Sequence, residues 1–104
     1  MTNTLDQLDH IAIQVKDIQK SLDWYLNNFK CEELYSDKTW AFIKFENIKL
    51  ALVTNSEHPP HFAILDKKIN LNQNSIIKHR DKSISQYIKD LDGNYLELIN
   101  YNND

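Results

Sequence analysis

The sequence predicts an α+β chain made of two related modules, the first running β-α-β-β-β and the second built from strands alone. Three observations carry this. The tetrapeptide His10-Ile11-Ala12-Ile13 returns nearly unchanged as His61-Phe62-Ala63-Ile64, 51 positions later, and Leu50-Ala51-Leu52 is echoed by Leu96-Glu97-Leu98 at a spacing of 46. A repeat near 50 residues marks duplicated supersecondary units. An apolar stripe with helical spacing, Ile18, Leu22, Tyr25, Leu26 and Phe29, lies in the first module. Only nine mostly polar residues separate Leu65 from Ser75, too few for a three-turn helix with its connections.

The elements follow in order. Residues 8–15 alternate, with Ile11, Ile13 and Val15 on one face and His10, Ala12 and Gln14 on the other, the period of a two-sided strand. Asp17 is the expected N-cap of the helix, because its carboxylate can accept from free amides of the first turn. The helix stripe is expected to cover the Ile11/Ile13/Val15 face. Strands are expected near 31–36, 39–45 and 48–54, with Glu46-Asn47 as the short loop between the last two. Residues 55–60, Asn-Ser-Glu-His-Pro-Pro, form the linker, since consecutive prolines disfavour helix and inner-strand pairing. Module one therefore spans 5–54 and module two 61–100. The second module opens at His61, continues through strands near 75–79 and 84–89, and closes with 94–100 after the Asp92-Gly93 turn signal. Without a helix, Phe62, Ile64, Leu96 and Leu98 lack their expected cover, which predicts either a second subunit over them or a return of Ile69 and Leu71.

Composition narrows the class. A chain of 104 residues is the size of one domain, so the halves share a core. A formal charge of −3 with scattered cations argues against nucleic acid, which calls for a basic patch. No apolar run approaches the roughly 20 residues a bilayer span requires, and residues 1–6 lack the basic start and apolar stretch of a signal peptide. Cys31 is the sole cysteine, which excludes an intrachain disulfide and a cysteine cluster for zinc. A cytoplasmic protein is expected.

The stretch from Leu8 to Val15, followed by Asp17 and Ser21-Leu22-Asp23-Trp24-Tyr25, resembles the opening of vicinal-oxygen-chelate proteins. These include glyoxalase I, bleomycin-resistance proteins, fosfomycin-resistance enzymes and extradiol dioxygenases. The segment from Tyr87 to Leu98 is similar to that superfamily's closing motif, with Leu91 where proline is usual. His61-Phe62-Ala63-Ile64 resembles the strand that opens its second module. The resemblance implies paired βαβββ modules in a curled mixed sheet around a cleft, here with the second helix missing. Carried over residue by residue, it implies that His10, His61 and Glu97 are metal ligands. The fourth ligand position of glyoxalase I falls at Ala51, which cannot bind metal, so the three-ligand branches fit better. Tyr87 resembles a cleft-facing tyrosine able to orient or protonate a bound oxyanion, and Gln14 and Ala51 are expected on the substrate side.

Two imidazoles and a carboxylate on one face suit a divalent ion, Fe, Mn, Zn or Ni, with positions left for oxygen ligands. The expected function is a small metal-dependent enzyme, glyoxalase- or dioxygenase-like, acting on a small oxygen-rich molecule as a homodimer. The alternative is a metal-free protein that sequesters a drug-like ligand, as bleomycin-resistance relatives do. His79, with Arg80 and Lys82, reads as a solvated turn, or else as a contact for an anionic substrate. Trp24 and Trp40 read as packing residues.

Overall fold

The computed structural model describes residues 5–54, 59–68, 76–79 and 83–101. Among them are eight strands and one helix: β1 (Leu8–Gln14), α1 (Ile18–Asn28), β2 (Glu32–Ser36), β3 (Trp40–Lys44), β4 (Lys49–Val53), β5 (His61–Leu65), β6 (Ile76–Lys78), β7 (Ile84–Lys89) and β8 (Tyr95–Asn100). The α+β class is as the sequence predicts, and every expected strand is present within a residue or two of its predicted ends. No helix of the described residues is long and apolar enough to cross a membrane. Ile69 and Leu71, expected as one possible cover, lie outside the described residues, as do Arg80 and Lys82.

The chain divides into two compact units, His10–His61 and Met1–Asp9 with Phe62–Asp104. The start of the chain joins the second unit because the Leu65 amide donates to the Gln7 carbonyl (3.0 Å) and the Tyr101 hydroxyl donates to Asp9 Oδ2 (2.6 Å).

In the unit His10–His61 the strand order is β2-β3-β4-β1, with β1 and β4 parallel and the remaining pairs antiparallel, a mixed sheet. Register places Ile13 opposite Leu52 and Leu52 opposite Ala41, with Leu50 opposite Ile43. Those residues face α1, whose Ile18 and Leu22 complete a core with Ala41, Ile43 and Leu52. Asp17 caps the helix as expected, its carboxylate accepting from the Lys20 amide at 3.0 Å. One expectation is corrected. The helix lies over β2, β3 and β4, and of the face expected beneath it Ile13 and Val15 do pack on the core while Ile11 is 40 % exposed. The aromatic end of the stripe explains the crossing, since Tyr25 and Leu26 pack on the core and Phe29 continues to Phe45, 6.4 Å between ring centroids. The helix ends on Phe29 in extended backbone (φ −138°), so Lys30 can follow without a left-handed residue.

In the other unit the order is β5-β8-β7-β6. The β7–β8 hairpin pairs Lys89 with Tyr95 and closes through Asp90 and Gly93, the latter at φ +88°, a conformation that favours glycine. The Asp90 carboxylate accepts from the Asp92 and Asn94 amides, both at 2.9 Å. Ala63, Ile84 and Ile99 are buried here, together with Ser83, Ser85 and Glu97.

Candidate functional site

His10 and His61 come together in the unit His10–His61. Both are buried, and their rings meet edge to face with centroids 5.8 Å apart. His10 also stands edge-on to Phe42 at 5.2 Å. His61 Nδ1 lies 2.8 Å from the Pro59 carbonyl oxygen. A carbonyl only accepts, so Nδ1 carries the hydrogen, and in the neutral ring Nε2 is then a lone-pair donor. This is the orientation that metal-binding histidines adopt when a backbone carbonyl fixes the tautomer. The double proline that marks the linker in the sequence therefore also supplies the carbonyl that sets the ring.

The face carrying His10 is readable from register. Lys49 stands opposite His10, Ala12, Ala51 and Phe42 are aligned across three strands, and Gln14, Val53 and Trp40 form the next row. Ala51 is buried and offers no ligand atom. Gln14 shares the face, but four residues along a strand place it about 13 Å from His10. Tyr35 and Trp40 stack with centroids 4.8 Å apart and Trp40 and Phe42 with centroids 5.5 Å apart, so an aromatic row leads to His10. Lys49 Nζ sits 5.1 Å from the Phe42 ring centre. Trp40 is thus a packing residue that also forms part of this row, whereas Trp24 is 53 % exposed beside Tyr25 and Phe29.

Glu97 and Tyr87 belong to the other unit, directly opposite each other across β7 and β8. Glu97 is only 3 % exposed. A buried carboxylate is costly unless donors surround it. Tyr87 supplies a hydrogen bond, and burial, followed by the Glu97 charge, pushes its phenol well above the usual tyrosine range. It therefore remains a neutral donor. His79 Nε2 lies 3.5 Å from Glu97 Oε2 and 2.6 Å from Ser85 Oγ. The reading of His79 as a solvated turn is replaced by a partly buried ring aimed at the carboxylate. Strand parity held the signal: Ile77 pairs with Ser85, which puts His79, Ser85, Tyr87 and Glu97 on one face. The neighbouring Arg80 and Lys82 mask this parity in the sequence.

The donor set of His10, His61 and Glu97 fits a divalent metal by its chemistry. Each residue offers one ligand atom and each is buried, and the His61 ring keeps its hydrogen on Nδ1.

The model of the Glyoxalase/Bleomycin resistance protein/Dioxygenase superfamily matches residues 7–77. Among solved structures, a hypothetical protein of Bacillus halodurans C-125 is 17 % identical with a TM-score of 0.75, over 97 % of this chain and 98 % of that one. Streptomyces coelicolor methylmalonyl-CoA epimerase, in complex with 2-nitronate-propionyl-CoA, is 14 % identical with a TM-score of 0.73, over 93 % and 98 %. Methylmalonyl-CoA epimerase of Mycobacterium tuberculosis is 15 % identical with a TM-score of 0.71, over 96 % and 91 %. At these identities the likeness shows the fold. Comparison with curated proteins gives no match.

Proposed function

Because the chain belongs to the Glyoxalase/Bleomycin resistance protein/Dioxygenase superfamily, we propose that it is a small metal-dependent enzyme of vicinal-oxygen-chelate type, with His10, His61 and Glu97 as ligands. The observation that carries this reading is the buried His61 ring, whose tautomer the Pro59 carbonyl fixes with the hydrogen on Nδ1, beside the buried His10. A metal bound there would polarise the oxygen atoms of a small substrate. Tyr87, kept protonated by its surroundings, is the candidate to orient or protonate an oxyanion. Gln14 and Ala51 are proposed on the substrate side of the same face as His10. The methylmalonyl-CoA epimerases among the similar structures support an oxygen-bearing small substrate.

Metal content of protein purified without chelators tests this reading. Fe(II), Mn(II), Zn(II) or Ni(II) should bind one per chain. Glu97→Gln should weaken binding by more than the roughly 10–100-fold typical of losing an outer partner, with little change in the unfolding midpoint of the metal-free protein. Equal affinity in the two proteins removes the basis for an enzyme.

The aromatic row Tyr35–Trp40–Phe42 favours a second reading, a metal-free protein that binds a planar ligand. Tryptophan fluorescence quenched by aromatic ligands, and unaffected by metal or chelator, would select it.

We also infer a homodimer. Phe62, Ile64, Leu96 and Leu98 are only half-buried, and Ile88, on the Leu96/Leu98 face, is 39 % exposed. Taking such a side chain from fully exposed to fully buried contributes about 1.5–3 kcal/mol, and covering these would add the part still outstanding. Sedimentation as a monomer at micromolar concentration would overturn the dimer.

A further inference from the structure

We propose that His79 is a positioning residue for Glu97, acting with Ser85 and Tyr87 as a directed chain of hydrogen bonds that fixes the carboxylate; the inference rests on the reading of Glu97 as a metal ligand. Glu97 is buried on β8, and a carboxylate there needs donors to hold both its charge and its plane. Tyr87, its cross-strand partner, donates one. His79 Nε2 faces two acceptors at once, Glu97 Oε2 at 3.5 Å and Ser85 Oγ at 2.6 Å. A carboxylate oxygen cannot donate, so only a hydrogen on Nε2 satisfies that side of the contact. Ser85 Oγ, fully buried, can then accept from His79 and pass its own hydrogen to Tyr87, with which it is also hydrogen-bonded. Every hydrogen in the chain points toward Glu97.

The alternative assignment for these residues is a nucleophilic serine, and the geometry argues against it. A Ser-His-acid device places the acid on one imidazole nitrogen and the serine on the other. Here both partners meet Nε2, and Ser85 has no exposed surface. The hairpin anchors the ring, because the His79 amide donates to the Ser83 carbonyl at 2.8 Å. Partners of this kind orient metal-ligating carboxylates, and their loss typically reduces metal affinity 10–100-fold.

Two measurements on the full chain test the proposal. In metal-free protein at neutral pH, nitrogen-15 NMR of the His79 ring should show a hydrogen on Nε2. A ring with hydrogen on Nδ1 and a bare Nε2 overturns the proposal. The second measurement titrates Mn(II) and Zn(II) into wild type, His79→Leu and His79→Gln. His79→Leu should bind about 10–100-fold more weakly, while His79→Gln, which retains a side-chain N–H, should recover most of the affinity. A folded His79→Leu protein that binds metal like wild type overturns the proposal. If His79→Leu does not fold, Ser85→Ala takes its place in the same titration and is read the same way. Should wild type bind no metal, the metal reading fails by itself. Positioning is then decided in metal-free protein, where the Glu97 carboxyl carbon-13 shift must move in His79→Leu and return in His79→Gln.

Discussion

Asp37 organises the turn between β2 and β3 with one carboxylate. It accepts from the Tyr35 hydroxyl at 2.6 Å, from the Thr39 amide at 2.8 Å and from the Trp40 amide at 3.0 Å. These bonds, the Tyr35 hydroxyl first, hold its carboxyl below the usual carboxylate range. The folded pKa is depressed, so the stabilisation is present above the ordinary value of 3.8 and fades as pH falls toward the folded one. Asp37→Ala should cost about 1 kcal/mol at neutral pH, given its partial exposure to solvent. Urea titrations at pH 7 and pH 2.5 check this, and the gap between the two proteins should narrow at the lower pH.

At the scale of elements, α1 owes its start to Asp17. Replacing this residue with alanine should cost about 1 kcal/mol, within the 0.5–2 typical of caps, and lower the urea midpoint without changing the slope. The helix and all eight strands were legible because 3.6- and 2-residue periods are properties of a single segment. Where α1 would cross was not, since that depends on which partners Tyr25, Leu26 and Phe29 find on other strands. The site divides in the same way. His10, His61 and Glu97 stood out because a repeat aligned them, and all three are buried. His79 and Ser85 belong to no repeated motif. Their role emerges only when the pairing of Ile77 with Ser85 fixes which way their hairpin faces.

For the whole molecule, the proposed ligands His10, His61 and Glu97 tie metal binding to folding. An ion held by all three would bind only the folded chain and stabilise it by about 2.7 kcal/mol at a hundred times its dissociation constant. A thermal scan with and without Mn(II) or Zn(II) measures this. The rise in midpoint should vanish in Glu97→Gln.

The bond from Tyr101 to Asp9 reaches across 92 positions of chain and ends on a carboxylate that is 7 % exposed, one residue before His10. Losing Tyr101 would remove one hydrogen bond from that buried acid. Tyr101→Phe, which retains the ring and deletes only the hydroxyl, should cost roughly 1–3 kcal/mol. The variant's urea midpoint, compared with that of the wild type, reads how much this one long-range bond contributes to holding the start of β1.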